Sequence, residues 1–552
     1  MRLLQREISG LHEAAFLLGV FAFLAKVIAL VRDRFLTNLF GAGAELDVYY
    51  AAFRIPDFIY ASIASLVASA VLIPFIVKSM ERGGDVRGFF NSVFTVFVGA
   101  IMAVTAVVWA FMPVLSPLSA PGFDAAAQAE LVALGRIILL SPLLLGLSGL
   151  FAGVTQSLRQ FFVYAIGPIL YNLGIMFGAV ALYPAFGLAG LGYGVLVGAF
   201  LHMAVQLPVL ARHGLLPRFT RRIDWQEIKY VLVFSLPRTA GLFMSQWTLL
   251  ILTALASYMA EGSIAVFNLA FNLQSVPLSI IGISYSTAVF PTLARSFADG
   301  ERAAFGAQIA VAMRHIIFWS LPVVMLFIVL RAQIVRTILG AGNFSWDDTR
   351  LTAAALALFI VSVICQSLIL LFVRAYYAAG KTLKPLLINI ISSVAIIIFA
   401  FVFTYLFRSE PSLRYFFEAL LRVDDLPGTE LLALPLAYSL GTVLNAWVLW
   451  VFLKESVGSA TERIARTVGE SFAASVIMGA VAYEGLQFFE KFFNLATLPG
   501  IFLQGLCAGL VGVASGIVIL KAMRNKELEE VARLVHRKFW KRHPVAPDQG
   551  GL

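Results

Sequence analysis

Charge is scarce in this 552-residue chain: Asp, Glu, Lys and Arg make up 13% of it, against 60% for hydrophobic residues. That balance excludes an ordinary soluble domain and an intrinsically disordered one. Cysteine is scarcer still. Cys365 and Cys507 are the only two, both in apolar runs, which excludes a disulfide framework and a cysteine-ligated metal site. The six histidines stand at 12, 202, 213, 315, 536 and 543 with no HExxH and no close pairing, and no G-x-S-x-G occurs. The usual metallohydrolase and serine-hydrolase signatures are therefore missing. The glycine-rich "FGLAGLGYG" at 186–194 follows no strand and opens an apolar run, so it reads as helix packing rather than nucleotide binding. Asp424 and Asp425, in "LLRVDDLPGTE", are the best placed loop carboxylates, with a solvated outer loop as the plainer reading. The expectation is a protein that is not an enzyme, with no cofactor and no metal.

Long hydrophobic runs are what the chain has. About fourteen, each near the roughly 20 residues needed to cross a bilayer, follow one another from residue 11 to residue 521. They are too long and too uniformly apolar for barrel strands, so the fold class is an all-α polytopic membrane protein. The spans near 46–77 and 263–294 are long enough to be tilted or bent. The first run, 11–31, continues beyond a signal-peptide core and reads as an uncleaved span. The formal net charge is +10, and most of the Lys and Arg fall on alternate connectors beginning with the N-terminus. That is a topology signal placing both termini in the cytoplasm, and it argues against nucleic acid as partner. In the basic tail, Leu528, Val531, Leu534, Val535 and Phe539 fall on one helical stripe, which fits an interfacial helix on anionic membrane lipid; a solvated tail is the alternative.

A repeat gives the organisation. "SAVLIPFIVKSMERG" at 69–83 matches "STAVFPTLARSFADG" at 286–300 at Ser69 and Ser286, Pro74 and Pro291, and Gly83 and Gly300. Just before, "YYAAFRIP" at 49–56 parallels "FNLAFNLQ" at 267–274. Each copy closes the second span of a six-span unit, which implies two parallel, pseudo-symmetric six-helix lobes. The expected division is an N-lobe over 1–215, a C-lobe over 216–456, a C-terminal helix pair over 457–522 and a basic cytoplasmic tail over 523–552. Gly505, Gly509, Gly512 and Gly516 line one face of the last span, a pattern for close helix contact or for a shallow furrow.

Against this apolar background the stretch "LAKVIALVRDRFLTNLFGAGAELDVYYAAFRIPDF" at 24–58 stands out. Lys26 lies inside the first span. A cation at a helix centre costs roughly 2.5–3.5 kcal/mol on insertion scales, so such a residue faces a cavity or a partner. Arg54 precedes Pro56, which can bend the second span, and Arg238 sits beside Pro237 early in the seventh. If the lobes face each other these cations converge, and convergent cations in a wet cleft suit an anion, arginine in particular phosphate oxygens. Periodicity alone leaves Arg32, Asp33 and Arg34 open between that cavity and an interfacial anchor.

Together, "VRDRFLTNLFGAGAELDVYYAAFRIPDF", "LIPFIVKS" and "FPTLARSFADG" resemble the MurJ (MviN) lipid II flippases of the multidrug/oligosaccharidyl-lipid/polysaccharide exporter superfamily. The resemblance implies fourteen spans, two six-helix lobes and an extra helix pair. It implies transport of an undecaprenyl-diphosphate-linked disaccharide-pentapeptide, lipid II, to the outer leaflet of the bacterial plasma membrane. It also implies a basic central cavity for the diphosphate, a groove for the lipid tail along the last two spans, and cell-wall synthesis proteins as further partners. By motif position, the substrate-binding residues it implies are Lys26, Arg32, Asp33, Asp47 and Arg54, with Asn272 where the family's eighth span usually has arginine. Arg238 is added as a compensating cation. Tyr60 also replaces a usual arginine, and the C-lobe spans offer only polar residues such as Asn389 and Asn445 where a coupling sodium would need carboxylates. The alternatives are a flippase for another undecaprenyl-diphosphate glycan, a small-molecule exporter, a membrane glycosyltransferase, and a cell-wall scaffold that no longer transports.

Overall fold

A computed structural model describes residues 11–63, 85–457 and 461–540, without the side chains of 11–16, 230, 234, 237–238, 455–457, 461–462 and 534–540. Residues 64–84 fall outside these stretches, and with them the whole of the first repeat copy at 69–83.

The described chain is helical, with no strand among the described residues. Its helices are α1 (Leu11–Phe40), α2 (Ala44–Ala52), α3 (Arg54–Ser62), α4 (Val86–Ser119), α5 (Ala125–Ile138), α6 (Ser141–Ser157), α7 (Phe161–Phe177), α8 (Leu188–Ala204), α9 (Trp225–Ala256) and α10 (Ser263–Leu278). They continue with α11 (Ser284–Ala298), α12 (Arg302–Val329), α13 (Arg331–Leu339), α14 (Trp346–Ala378), α15 (Leu383–Ser409), α16 (Pro411–Leu421), α17 (Ala433–Val457), α18 (Thr461–Glu490), α19 (Leu498–Ala522) and α20 (Lys526–Trp540). Among the described residues, twelve helical stretches are long and apolar enough to cross a membrane. The expected fourteen also counts α1 and the span expected near 46–77, part of which lies outside the described residues.

The chain divides into two compact units. One comprises residues 1–276, 335–362 and 381–445; the other comprises 277–334, 363–380 and 446–552. In the first, helix starts are fixed by side-chain caps. Asp85 accepts from the Gly88 amide at 2.8 Å, Asp124 from Ala127 at 2.8 Å, and Asp224 from Gln226 at 3.0 Å. Each satisfies an amide that helix geometry leaves without a partner. Phe90, Ile101, Leu150 and Leu210 form a buried cluster that ties α4 to α6. Glycine brings α7 and α8 together: a Cβ on Gly178 would lie 2.5 Å from the Gly194 Cα. The "FGLAGLGYG" glycines Gly190 and Gly194 serve this contact. The 263–294 span, expected to be tilted or bent, carries a π-helical turn at Ser279–Ile283 just after Pro277.

In the second unit the glycine stripe of α19 is filled. A Cβ on Gly512 would meet the Met478 carbonyl and Ala482 of α18 at 2.9 Å, and one on Gly505 would meet Gln333 at 3.0 Å. Close packing, not a furrow, is the outcome. The start of the tail helix is packed on the protein. Leu528 and Val531 of α20 pack against Phe318, Ala474 and Leu520, and Glu527 is 3% exposed between Arg314 at 2.9 Å and Thr467 at 3.0 Å. The first turns of the tail helix therefore dock on the protein itself. Leu534, Val535 and Phe539 lie outside the described side chains. Cys365 and Cys507 are free thiols.

Candidate functional site

The first unit gathers the charged residues of 24–58 into two places. The first is a polar cluster where α1, α3, α7 and α10 meet. Arg32 lies against Asp33, with Nη2 at 2.6 Å and Nε at 3.0 Å from one carboxylate oxygen, and its Nη1 donates to Asn172 at 2.9 Å. The other Asp33 oxygen accepts from Asn272 at 3.2 Å. Asp33 is 2% exposed, so an interfacial anchor is ruled out for this pair. Lys26 donates to Ser275 at 3.1 Å. Arg54, 7% exposed, donates through Nη2 to Asn268, whose own amide is held by the Ile264 carbonyl at 2.7 Å. Asp57 of the same helix lies within electrostatic reach of Arg54, and Tyr49, Tyr50 and Tyr171 lie within reach of Arg32.

Helix geometry explains why these groups meet. Arg54 and Asp57 are three residues apart and share a face of α3; Asn268 and Asn272 are four apart and share a face of α10. Asn172 stands four residues after Pro168 and donates a side-chain amide proton to the Pro168 carbonyl at 2.8 Å, which fixes its orientation.

The donors are not exhausted. A guanidinium carries five N–H bonds and an ammonium three. Arg32 uses three on Asp33 and Asn172, Lys26 uses one on Ser275, and the buried Nε of Arg54 has no partner. Three cations face two carboxylates, with N–H bonds to spare on each cation. Such a cluster can accept an anion with several oxygens, and the planar guanidinium forks favour phosphate geometry over a single carboxylate.

The second place is a capped end of the same unit, and Asp47 belongs to it rather than to the cation cluster. Its two carboxylate oxygens accept from the Gly262 amide at 2.8 Å and the Ala265 amide at 2.7 Å, capping α10. Glu261 reciprocates by accepting from the Ala44 amide at 3.0 Å at the start of α2. Arg34 donates to the carbonyls of Thr337 at 2.7 Å and Gly340 at 3.3 Å, and Thr37 to that of Leu339 at 2.8 Å, closing the C-terminus of α13. Arg34 too is a helix-end ligand, not an anchor. Gly262, at φ +84°, lies so close to the Ala42 carbonyl that a side chain would overlap it.

The remaining site candidates divide. Asn272 joins the cluster through Asp33, not as a stand-in for a cation. The Arg238 side chain lies outside the described residues, although its backbone is in α9. Tyr60 is 41% exposed. Asn389 accepts from Asn445 at 3.1 Å, a neutral pair. Asn172, Asn268 and Ser275 were not singled out from sequence. Asn268 could have been, because the repeat sets Tyr50 opposite Asn268 and Arg54 opposite Asn272.

The model of the lipid II flippase MurJ family matches residues 36–503. Among curated proteins, the lipid II flippase MurJ of Burkholderia cenocepacia is 24% identical over 391 residues, covering 69% of this chain and 76% of that one. A probable lipid II flippase MurJ of Rhizobium tropici is 28% identical over 380 residues, covering 66% and 70%. Among solved structures, a lipid II flippase MurJ in an inward closed conformation superposes with a TM-score of 0.74 at 19% identity, over 92% of this chain and 100% of that one. An inward-facing multidrug resistance MATE family transporter gives 0.62 at 13% identity, over 79% and 96%. These likenesses of structure establish the shared fold.

Proposed function

This chain belongs to the lipid II flippase MurJ family, and from that premise we propose that it is itself a lipid II flippase of the bacterial inner membrane. It carries the undecaprenyl-diphosphate-linked peptidoglycan precursor from the cytoplasmic to the outer leaflet, with both termini in the cytoplasm. The observation that carries the reading is the cluster of Lys26, Arg32 and Arg54, which keeps N–H donors free inside an apolar helical protein. The diphosphate is the part of lipid II that needs them. Asp33 holds Arg32 in place and lowers the charge of the empty cluster, so the cations can stand close together before substrate arrives.

In this account, the N-lobe over 1–215 and the C-lobe over 216–456 rock against each other around the diphosphate. Support comes from the capped end, where Asp47 of the first holds Gly262 and Ala265 of the second, and Glu261 of the second holds Ala44 of the first. Opening that end requires these bonds to break together, as alternation between two closed states demands. Bound diphosphate competes for the donors that Lys26 and Arg54 of the N-lobe give to Ser275 and Asn268 of the C-lobe, and so couples binding to rocking. The helix pair over 457–522 then lies beside the lipid tail.

Native mass spectrometry of the full chain, offered lipid II and an anionic phospholipid, tests the binding step. Retention of lipid II in preference to phospholipid, reduced by Lys26→Ala and by Arg54→Ala, is the expected result. Equal retention of both lipids by wild type and variants would remove the cluster from the mechanism. Equal retention of lipid II and another undecaprenyl-diphosphate glycan would broaden the substrate to the diphosphate lipid class.

A further inference from the structure

The cation cluster contains two carboxylates, and they are not equivalent. Asp33 uses both oxygens: one accepts from Arg32 Nη2 at 2.6 Å and Nε at 3.0 Å, the other from Asn272 at 3.2 Å. Asp57 is half-buried on the face of α3 that carries Arg54, and its carboxylate has no hydrogen bond and no ion pair among the described residues.

Few groups face it. Arg54 acts on it from its own helix, and Tyr49 of α2 and Tyr171 of α7 lie within electrostatic reach. No other charged side chain among the described residues acts on the carboxylate. The helix α6, packed on α3, has no titratable residue. On the other flank α9 sets Phe243 and Trp247 against Phe58, and its Arg238 side chain lies outside the described residues.

The charge balance of the cluster changes sign when substrate arrives. Lys26, Arg32 and Arg54 bring three positive charges and Asp33 and Asp57 two negative ones, so the empty cluster has one positive charge in excess. A diphosphate esterified at both ends brings two negative charges near neutral pH. The sum is then one negative charge in excess, among apolar helices where an uncompensated charge is costly. One proton restores neutrality. Asp33 is the poorer acceptor, because a protonated oxygen would give up a bond from the Arg32 fork or from Asn272. Asp57 gives up none. Arg54 favours its ionised form in the empty cluster, and a phosphate seated on Arg54 both screens that attraction and repels the carboxylate.

We propose that Asp57 is a proton-binding site linked to the substrate, ionised in the empty cluster and protonated when the diphosphate is seated on Arg54. The proposal rests on the flippase reading and adds a coupling proton to it. The proton comes from water as the diphosphate enters and returns to water as it leaves, so substrate binding and proton uptake strengthen each other equally. Each cycle then moves one net negative charge across the membrane rather than two, and responds to pH as well as to membrane potential.

The test uses the full chain in phosphatidylcholine nanodiscs, titrated calorimetrically with a lipid II carrying a short farnesyl chain. Titration in phosphate and in Tris, whose ionisation heats differ, counts the protons exchanged. Wild type should take up about one proton per lipid, with an affinity that falls by as much as about tenfold per pH unit as pH rises through neutrality. Asp57→Asn, which imitates the protonated acid, should take up none and bind with an affinity independent of pH, and Asp57→Glu should restore both effects. The ligand is the same in all three titrations, so its own ionisations cancel in the comparison. Equal proton uptake and an equal pH slope in wild type and Asp57→Asn, or no slope in wild type, would overturn the proposal while leaving the binding reading intact. No preference of wild type for this lipid over an anionic phospholipid would reject the flippase premise and the proposal together.

Discussion

Replacing Asp47 with alanine should loosen one end of the molecule without touching the cation cluster. The carboxylate accepts two amide protons, from Gly262 at 2.8 Å and Ala265 at 2.7 Å, in a place where it is only 4% exposed. Leaving two buried donors unpaired costs about 1–3 kcal/mol each. Part of that is recovered, because the variant no longer buries a charge. The expected net loss is about 2–3 kcal/mol, which corresponds to an opening equilibrium shifted by roughly 30- to 150-fold. Asp124 supplies the control. It caps α5 through Ala127 at 2.8 Å from an exposed position, so water can replace it and its loss should stay near the lower end of the cap range, about 0.5–1 kcal/mol. Hydrogen exchange read by mass spectrometry on a peptide spanning 258–270 measures the difference directly. In Asp47→Ala that peptide should exchange tens of times faster, while Asp124→Ala leaves it as in wild type. If exchange there is unchanged by Asp47→Ala, the reciprocal caps are not what holds this end shut.

Two further perturbations have defined outcomes. Glu527→Gln removes the carboxylate that Arg314 and Thr467 share; breaking a buried pair costs about 3–5 kcal/mol, and limited proteolysis should then remove the tail from Lys526 onward faster than in wild type. In the loop after α16, the hydrogen bond from Arg350 holds the Asp425 carboxyl below its ordinary value. A lowered value means that the contribution is complete above about pH 4, the unfolded reference, and disappears as pH falls through the folded value. Asp425→Asn should therefore abolish an acid-side loss of stability that wild type shows below that pH, and identical acid profiles for the two proteins would contradict the pairing.

The fold class was legible because bilayer thickness dictates span length: an apolar run of about 20 residues has few alternatives to a membrane helix. The length of the 263–294 run suggested a tilted or bent span, but not the π-helical turn at Ser279–Ile283. The site was half legible. The cost of placing Lys26 and Arg54 in apolar spans marked them as functional, but cost says nothing about partners. Those partners lie far away in sequence, 140 residues for Arg32 and Asn172, 214 for Arg54 and Asn268, and 249 for Lys26 and Ser275. No local periodicity reports such contacts. Asp47 shows the converse. The family resemblance set it among the substrate-binding residues, whereas the start of α10 claims both its oxygens. The tail was open for a related reason: an apolar stripe specifies burial without saying what covers it, and at Leu528 and Val531 it is protein.

The most direct measurement reconstitutes the purified chain in vesicles with lipid II and follows appearance of the headgroup on the opposite leaflet. Wild type should translocate lipid II, and the double variant Lys26→Ala with Arg54→Ala should lose that activity while keeping its helical content and its thermal transition. Translocation at the wild-type rate by the double variant would contradict the claim that these cations carry the diphosphate.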